Sequence, residues 1–229
     1  MEEAVRIYGN RARIGLIVPG PNTVAETEFW RMAPDGVTIH TARLPFDPDG
    51  PAPLVAMEDH LEGAVLSLKA AGCDVIVYAC GASSAIESDD SPTRRIERWS
   101  GRPVIDASHA LARELRRAGV AAAGLITPYP KATHDHEKAF LERQGIAVPV
   151  DAQAIVDAAQ ERLLGMRRVP PEMIVEAALP MAPLVDGYAL GCTDMPSLVA
   201  ALEIETRTGK PVISMTIAMW REASRTLKL

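Results

Sequence analysis

The chain has 229 residues, 48% hydrophobic and 24% charged, with a formal net charge of −6. That is the composition of an ordinary globular protein, and an acidic balance with no basic cluster larger than Arg94-Arg95 or Arg167-Arg168 argues against nucleic acid as a partner. No apolar run reaches the roughly 18 to 20 residues needed to span a bilayer. With Glu2, Glu3, Arg6 and Arg11 there is no leader core at the start, so a cytoplasmic protein that avoids membranes is expected. Three cysteines make no disulfide framework, and no CxxC or suitably spaced histidine suggests a metal site.

Along the chain, short apolar runs alternate with stretches of helical periodicity. Arg13-Ile-Gly-Leu-Ile-Val-Pro19 reads as a buried strand, followed by a helix over 23–32. Leu54, Met57, Leu61, Val65 and Leu68 fall on one helical face, closed by Gly72. Asp74-Val-Ile-Val-Tyr-Ala-Cys80 is the next strand, and Gly101-Arg-Pro-Val-Ile105 leads into a helix over 107–118 that ends at Gly119. Ala122-Ala-Gly-Leu-Ile-Thr-Pro128 opens a second series, with a helix over 135–144 ending at Gly145. Asp186-Gly-Tyr-Ala-Leu-Gly-Cys192 and Gly209-Lys-Pro-Val-Ile213 complete it, followed by a helix over 216–227.

The two series are copies. The first strands are offset by 109 residues, the cysteine-terminated strands by 112 and the Gly-x-Pro-Val-Ile runs by 108. Strands alternating with helices imply βαβ units, so the fold class is α/β: two pseudo-symmetric halves, each a parallel sheet flanked by helices. The expected division is 1–118, joined by the C-terminal helix 216–229, and 119–215.

Ligands of such sheets bind beyond the carboxyl ends of the strands, here in the cleft between the halves. A lone cysteine that ends a strand is usually core, but Cys80 and Cys192 end equivalent strands, and this matched placement points to chemistry. Helix starts after both would favour thiolate, and backbone N–H groups at Gly81 and Ala82 would receive a carboxylate. Ser83, Ser84, Thr23 and Thr193 offer hydroxyl donors. Asn22 is either a helix cap or an amide donor, and Tyr129 either a turn residue or a hydroxyl donor to substrate. Asp194 either caps a helix starting near Met195 or carries protons for Cys192. Cys73 has no counterpart and reads as packing, as His109 reads as a helix-start residue.

Pro21-Asn-Thr23 with Glu26-Thr-Glu28, Tyr78-Ala-Cys80, Thr127-Pro-Tyr129 and Gly191-Cys-Thr193 resemble the aspartate/glutamate racemase superfamily, within it the maleate cis-trans isomerase branch. The resemblance covers nearly the whole chain. It implies a homodimeric enzyme needing no cofactor, acting on a small carboxylate. Cys80 would add as thiolate to a double-bond carbon, Cys192 would supply and reclaim the proton, and Asn22 and Tyr129 would hold carboxylate oxygens. The sequence departs from the branch in two places: Gly-Ala-Ser-Ser follows Cys80 where Thr-Ser-Gly is usual, and 157–168 holds Gln160, Glu161 and Arg162 but no asparagine. Leu190-Gly-Cys-Thr-Asp-Met-Pro196 also resembles the racemase motif, so a two-base amino-acid racemase is the alternative. An arylmalonate-type decarboxylase and a non-catalytic carboxylate binder are more distant ones.

Overall fold

The computed structural model describes residues 8–50, 52–85 and 88–229. Glu2, Glu3 and Arg6, on which the leader argument rests, lie outside them. The first half runs β1 (Ala12–Pro19), α1 (Val24–Met32), β2 (Val37–Leu44), α2 (Pro53–Glu58), α3 (Leu61–Ala70), β3 (Val75–Tyr78), α4 (Gly81–Ser84), α5 (Pro92–Ser100), β4 (Val104–Asp106) and α6 (Ala107–Arg117). The second runs β5 (Ala122–Thr127), α7 (Lys131–Arg143), β6 (Ala147–Gln153), α8 (Pro171–Ala178), β7 (Gly187–Leu190), α9 (Leu198–Thr208), β8 (Val212–Ser214) and α10 (Met215–Leu227). Their sheets have the same order, β2-β1-β3-β4 and β6-β5-β7-β8, with every pairing parallel. The fold is the expected α/β arrangement, with two four-strand parallel sheets flanked by helices. Among the described residues no helix is long and apolar enough to cross a membrane.

The repeated sequence landmarks are repeated bonds. Asp74 accepts from the Arg13 backbone N–H at 2.8 Å, and Asp186 accepts from that of Ala122 at 2.9 Å, each tying the first strand of its half to the start of the third. After the Pro-Val-Ile runs, Asp106 accepts from His109 N–H and Ser214 from Ile217 N–H. Each cap turns a strand directly into a helix by satisfying one of its orphan donors.

Two local expectations need correction. Helix α7 begins at Lys131, not 135, because Pro130 already supplies an extended N-cap and Lys131 pairs with Asp135 one turn on. No helix starts at Met195: Pro196 disfavours helical geometry in the residue before it, and α9 waits until Leu198. The 157–168 segment forms two short 3₁₀ turns, Ala158–Arg162 and Met166–Arg168.

One apolar core serves both halves, joining Leu16, Val77, Leu111 and Leu115 to Leu125, Phe140, Met215 and Met219. At its centre α6 packs on α10. Arg117 pairs with Glu222 at 2.9 Å while Arg225 pairs with Glu114, and these partners are each other's equivalents at an offset of 108. Arg113 adds a second guanidinium to Glu222. A pseudo-twofold axis therefore passes between the two helices.

Burial opposes ionisation of Glu222, but Arg113 and Arg117 outweigh it and hold the carboxyl below its ordinary range. A depressed folded-state pKa gives stability that is present above the unfolded value of about 4.3 and is lost as pH falls through the folded value. Glu222→Gln is expected to lower stability at pH 7 by about 1 kcal/mol, because the part-exposed guanidiniums of Arg113 and Arg117 lose their anionic partner and keep only an amide oxygen. Urea melts from pH 7 down to pH 3 should show the difference from wild type shrinking as the acid range is entered.

Candidate active site

Loops from the carboxyl ends of β1, β3, β5 and β7 meet in one cavity. Asn22, Cys80, Gly81, Ala82, Tyr129, Cys192, Thr193 and Asp194 all line it. Cys80 is 4% and Cys192 3% exposed, so both thiols are covered by protein yet reach the same space.

The loop after β1 is stitched to the opposite half. Asn22 Oδ1 accepts from Ala25 N–H at 3.1 Å, capping α1, while its Nδ2 donates to Thr193 Oγ1 at 2.9 Å. Thr193 Oγ1 donates in turn to the Ala79 carbonyl at 2.9 Å. Asn22 is thus both a cap and a cavity residue. Arg43, ion-paired with Glu26, donates to the Asn22 carbonyl and Arg167 to that of Pro21, and both guanidiniums lie within electrostatic reach of Asp194.

Cys80 occupies the extended position before α4. Burial pushes its thiol up to about 11, against the lowering effects of the Ser83 N–H and the Tyr78 hydroxyl. The expected thiolate at a helix start is therefore not the resting state, because one four-residue turn of helix does not offset complete desolvation. Cys192 is followed by a turn and not a helix, and burial, Asp194 and Glu137 push it up further than Cys80, while the Tyr129 hydroxyl and the Asp194 N–H oppose them. That N–H lies 3.3 Å from the sulfur. Both cysteines rest as thiols.

Tyr129 hydrogen-bonds Cys192 and lies within electrostatic reach of Cys80. Burial and the Cys192 sulfur raise its hydroxyl well above the ordinary value, so it is a neutral donor. Its loop is pinned from behind. Gln153 Nε2 donates to the Tyr129 carbonyl at 2.8 Å and Gln160 Nε2 to that of Pro128 at 2.9 Å.

Ser83 does not offer its hydroxyl to the cavity. Its Oγ accepts from Tyr78 at 3.0 Å and donates to Glu58, which Arg95 neutralises. Only its N–H reaches Cys80. Ser84 likewise turns inward, to Ser108 Oγ at 2.8 Å. Thr23 contributes its N–H to Asp194 and its side chain does not line the cavity. Asp194 caps no helix of its own half. It accepts from Thr23 and Val24 N–H at 2.8 and 3.2 Å, capping α1 of the other half, and burial raises its carboxyl to about 6. Glu28 on α1 returns the contact, accepting from Ser197 N–H at 2.7 Å and Leu198 N–H at 3.1 Å at the start of α9.

Sequence reasoning missed Glu137. It is 2% exposed on α7, neither carboxylate oxygen has a hydrogen-bond partner, and burial raises it well above the ordinary range. Its carboxyl rests on Gly191, where a Cβ would collide with Oε1. The glycine before Cys192 was the available signal. Cys73 is buried packing beside Gly15, as expected. Among the described residues, no three His, Cys, Asp or Glu side chains gather to hold a metal ion.

The Asp/Glu/Hydantoin racemase family model matches residues 24–223. The maleate isomerase of Nocardia farcinica is 28% identical over 231 residues, covering 95% of this chain and 90% of its own. The arylmalonate decarboxylase of Bordetella bronchiseptica is 28% identical over 232 residues, covering 93% and 89%. Among solved structures, a mutant of the Nocardia farcinica maleate cis-trans isomerase with a covalently bound succinylcysteine intermediate is similar at a TM-score of 0.83 and 27% identity, over 95% of this chain and 93% of that one. With two sheets of one topology, paired cysteines at equivalent strand ends and a family match over most of its length, this chain belongs to the Asp/Glu/Hydantoin racemase family, on the branch of the maleate isomerases.

Proposed function

We propose that the chain is a cofactor-independent cis-trans isomerase of a maleate-like dicarboxylate, with Cys80 as nucleophile and Cys192 as proton carrier. The observation that carries this reading is the pair of thiols lining one cavity with the Tyr129 hydroxyl bonded to one and near the other. The two sulfurs are not equivalent. Asp194 and Glu137 stand on the side of Cys192 and favour its protonated form, whereas the carboxyl nearest Cys80, Glu58, is paired with Arg95. Cys80 is the easier thiol to ionise and Cys192 the better reservoir of a proton.

Substrate carboxylates are received by neutral donors: the second hydrogen of the Asn22 amide, the Tyr129 hydroxyl and the N–H groups of Gly81 and Ala82. Cys80, a thiol at rest, first releases its proton to solvent; the thiolate so formed adds to one olefinic carbon, forming a C–S bond, and the π pair moves to the neighbouring carbon and its carboxylate. Cys192 S–H protonates that carbon and becomes thiolate. The former double bond is now single and rotates. Cys192 then removes the proton, the double bond re-forms, and the C–S pair returns to Cys80. Donors fixed on the carboxylate stabilise the charge that builds up during addition.

Proton NMR with maleate in deuterated buffer should show the trans olefin appearing. Cys80→Ala and Cys192→Ala should each cut the rate by about a thousandfold or more. Exchange of an α-proton of aspartate or glutamate would instead assign a racemase, and release of carbon dioxide surviving Cys80→Ala a decarboxylase.

Since Cys80 titrates near pH 11, its thiolate fraction rises with pH below that value. Alkylation of Cys80 by iodoacetamide in a Cys192→Ala background should therefore quicken about tenfold per pH unit between pH 7 and 10. A rate flat across that range would show a preformed thiolate.

Gly191→Ala drives a methyl group into the Glu137 carboxyl beside Cys192. Expected are a loss of about 1–3 kcal/mol in thermal unfolding and a fall in kcat of about a hundredfold from misplacement of the thiol.

A further inference from the structure

The cavity is lined by apolar as well as polar groups, and its apolar wall is made by Phe46, Leu54, Leu163 and Met166. Arg162 pairs with Asp49, tying the 3₁₀ segment to the loop after β2. Gln160, the amide nearest to this wall in sequence, is not available to a ligand. Its Oε1 accepts from Val156 and Asp157 N–H and its Nε2 donates to the Pro128 and Ala154 carbonyls, so its hydrogen-bonding capacity is spent on the loop. Leu163 is held at a φ of +55°, a left-handed conformation that costs a leucine energy and that asparagine or glycine tolerates. Backbone strain of this kind collects at ligand sites, and here it sets a half-buried leucine on the cavity wall.

In a cis-enedioic acid both carboxylates lie on one edge of the double bond and the two olefinic substituents on the other. With the carboxylates held by the polar groups, the opposite edge is left to the apolar part of the lining. Resting on the isomerase reading above, we propose that the substrate of this site is a cis-enedioic acid carrying a short hydrocarbon substituent on an olefinic carbon, the substituent seated against Phe46, Leu54, Leu163 and Met166. The unsubstituted diacid leaves that wall uncovered. One methyl group in an apolar pocket changes kcat/KM by about tenfold or more.

The test measures kcat/KM for maleate and 2-methylmaleate by proton NMR on the wild-type enzyme and on Leu163→Asn, which places an amide on the wall in a conformation asparagine accepts. A parallel calorimetric titration of wild type with succinate and 2-methylsuccinate reads binding without turnover. The proposal requires 2-methylmaleate to be favoured at least tenfold by wild type, and Leu163→Asn to reduce that preference at least tenfold with the enzyme still folded by circular dichroism. Equal use of the two diacids, preference for maleate, or a preference untouched by Leu163→Asn overturns the proposal and leaves the isomerase reading intact. If neither olefin is converted while 2-methylsuccinate binds tenfold more tightly than succinate, the apolar wall is upheld and the isomerase reading falls. If neither is converted and the two succinates bind alike or not at all, both are overturned.

Discussion

Everything at the cavity depends on the two sheets being packed through one apolar core. Cys80 and Cys192 are carried by different sheets, and hydrophobic burial alone has no direction with which to align them. Direction comes from polar bonds laid across the join. Asp194 caps α1, Glu28 bonds the start of α9, and Asn22 bonds Thr193. Each satisfies backbone or side-chain groups that would otherwise be buried without partners, so sliding one half past the other would break several bonds together. The capping residues of one half are thereby the positioning elements of the other.

Within this near-symmetric frame the chemistry is asymmetric. Both thiols are desolvated, which by itself treats them alike. The difference arises from what stands behind them: Glu58 neutralised by Arg95 on one side, Asp194 and the unpartnered Glu137 on the other. An uncompensated buried carboxyl is costly as an anion, and its pKa is accordingly raised. Its carboxyl lies against Gly191, whose missing side chain leaves it room.

The sequence made the architecture legible because its signals were local and doubled. Gly-x-Pro-Val-Ile before a helix, or aspartate ahead of a cysteine-terminated strand, is weak alone; at a nearly constant offset each copy vouches for the other. The loops at strand ends were legible for the same reason. Other features depend on side-chain contacts made only once the chain has folded, and leave no periodic trace. Ser83 turns away from the cavity because Tyr78 and Glu58 capture it, Asp194 caps a helix that is not its own, and Glu137 reads as an ordinary polar position on an amphipathic helix. The thiolate expectation failed on magnitude. A few aligned N–H groups were weighed, but the degree of burial that opposes them is a property of the assembled halves.

The crossed ion pairs between α6 and α10 have a consequence for how such a site can vary. A surface bearing Glu114 and Arg117 that docks on its own counterpart bearing Glu222 and Arg225 is self-complementary, the same geometry that joins identical subunits about a twofold axis. In a dimer of identical half-length chains, any residue added beside one sulfur would appear beside the other, and the two thiols would be obliged to share one acidity. Covalent linkage into a single chain keeps the docking surface and removes that obligation. A carboxyl such as Glu137 can then be placed behind one sulfur only, and a division of labour between chemically identical groups becomes open to single substitutions.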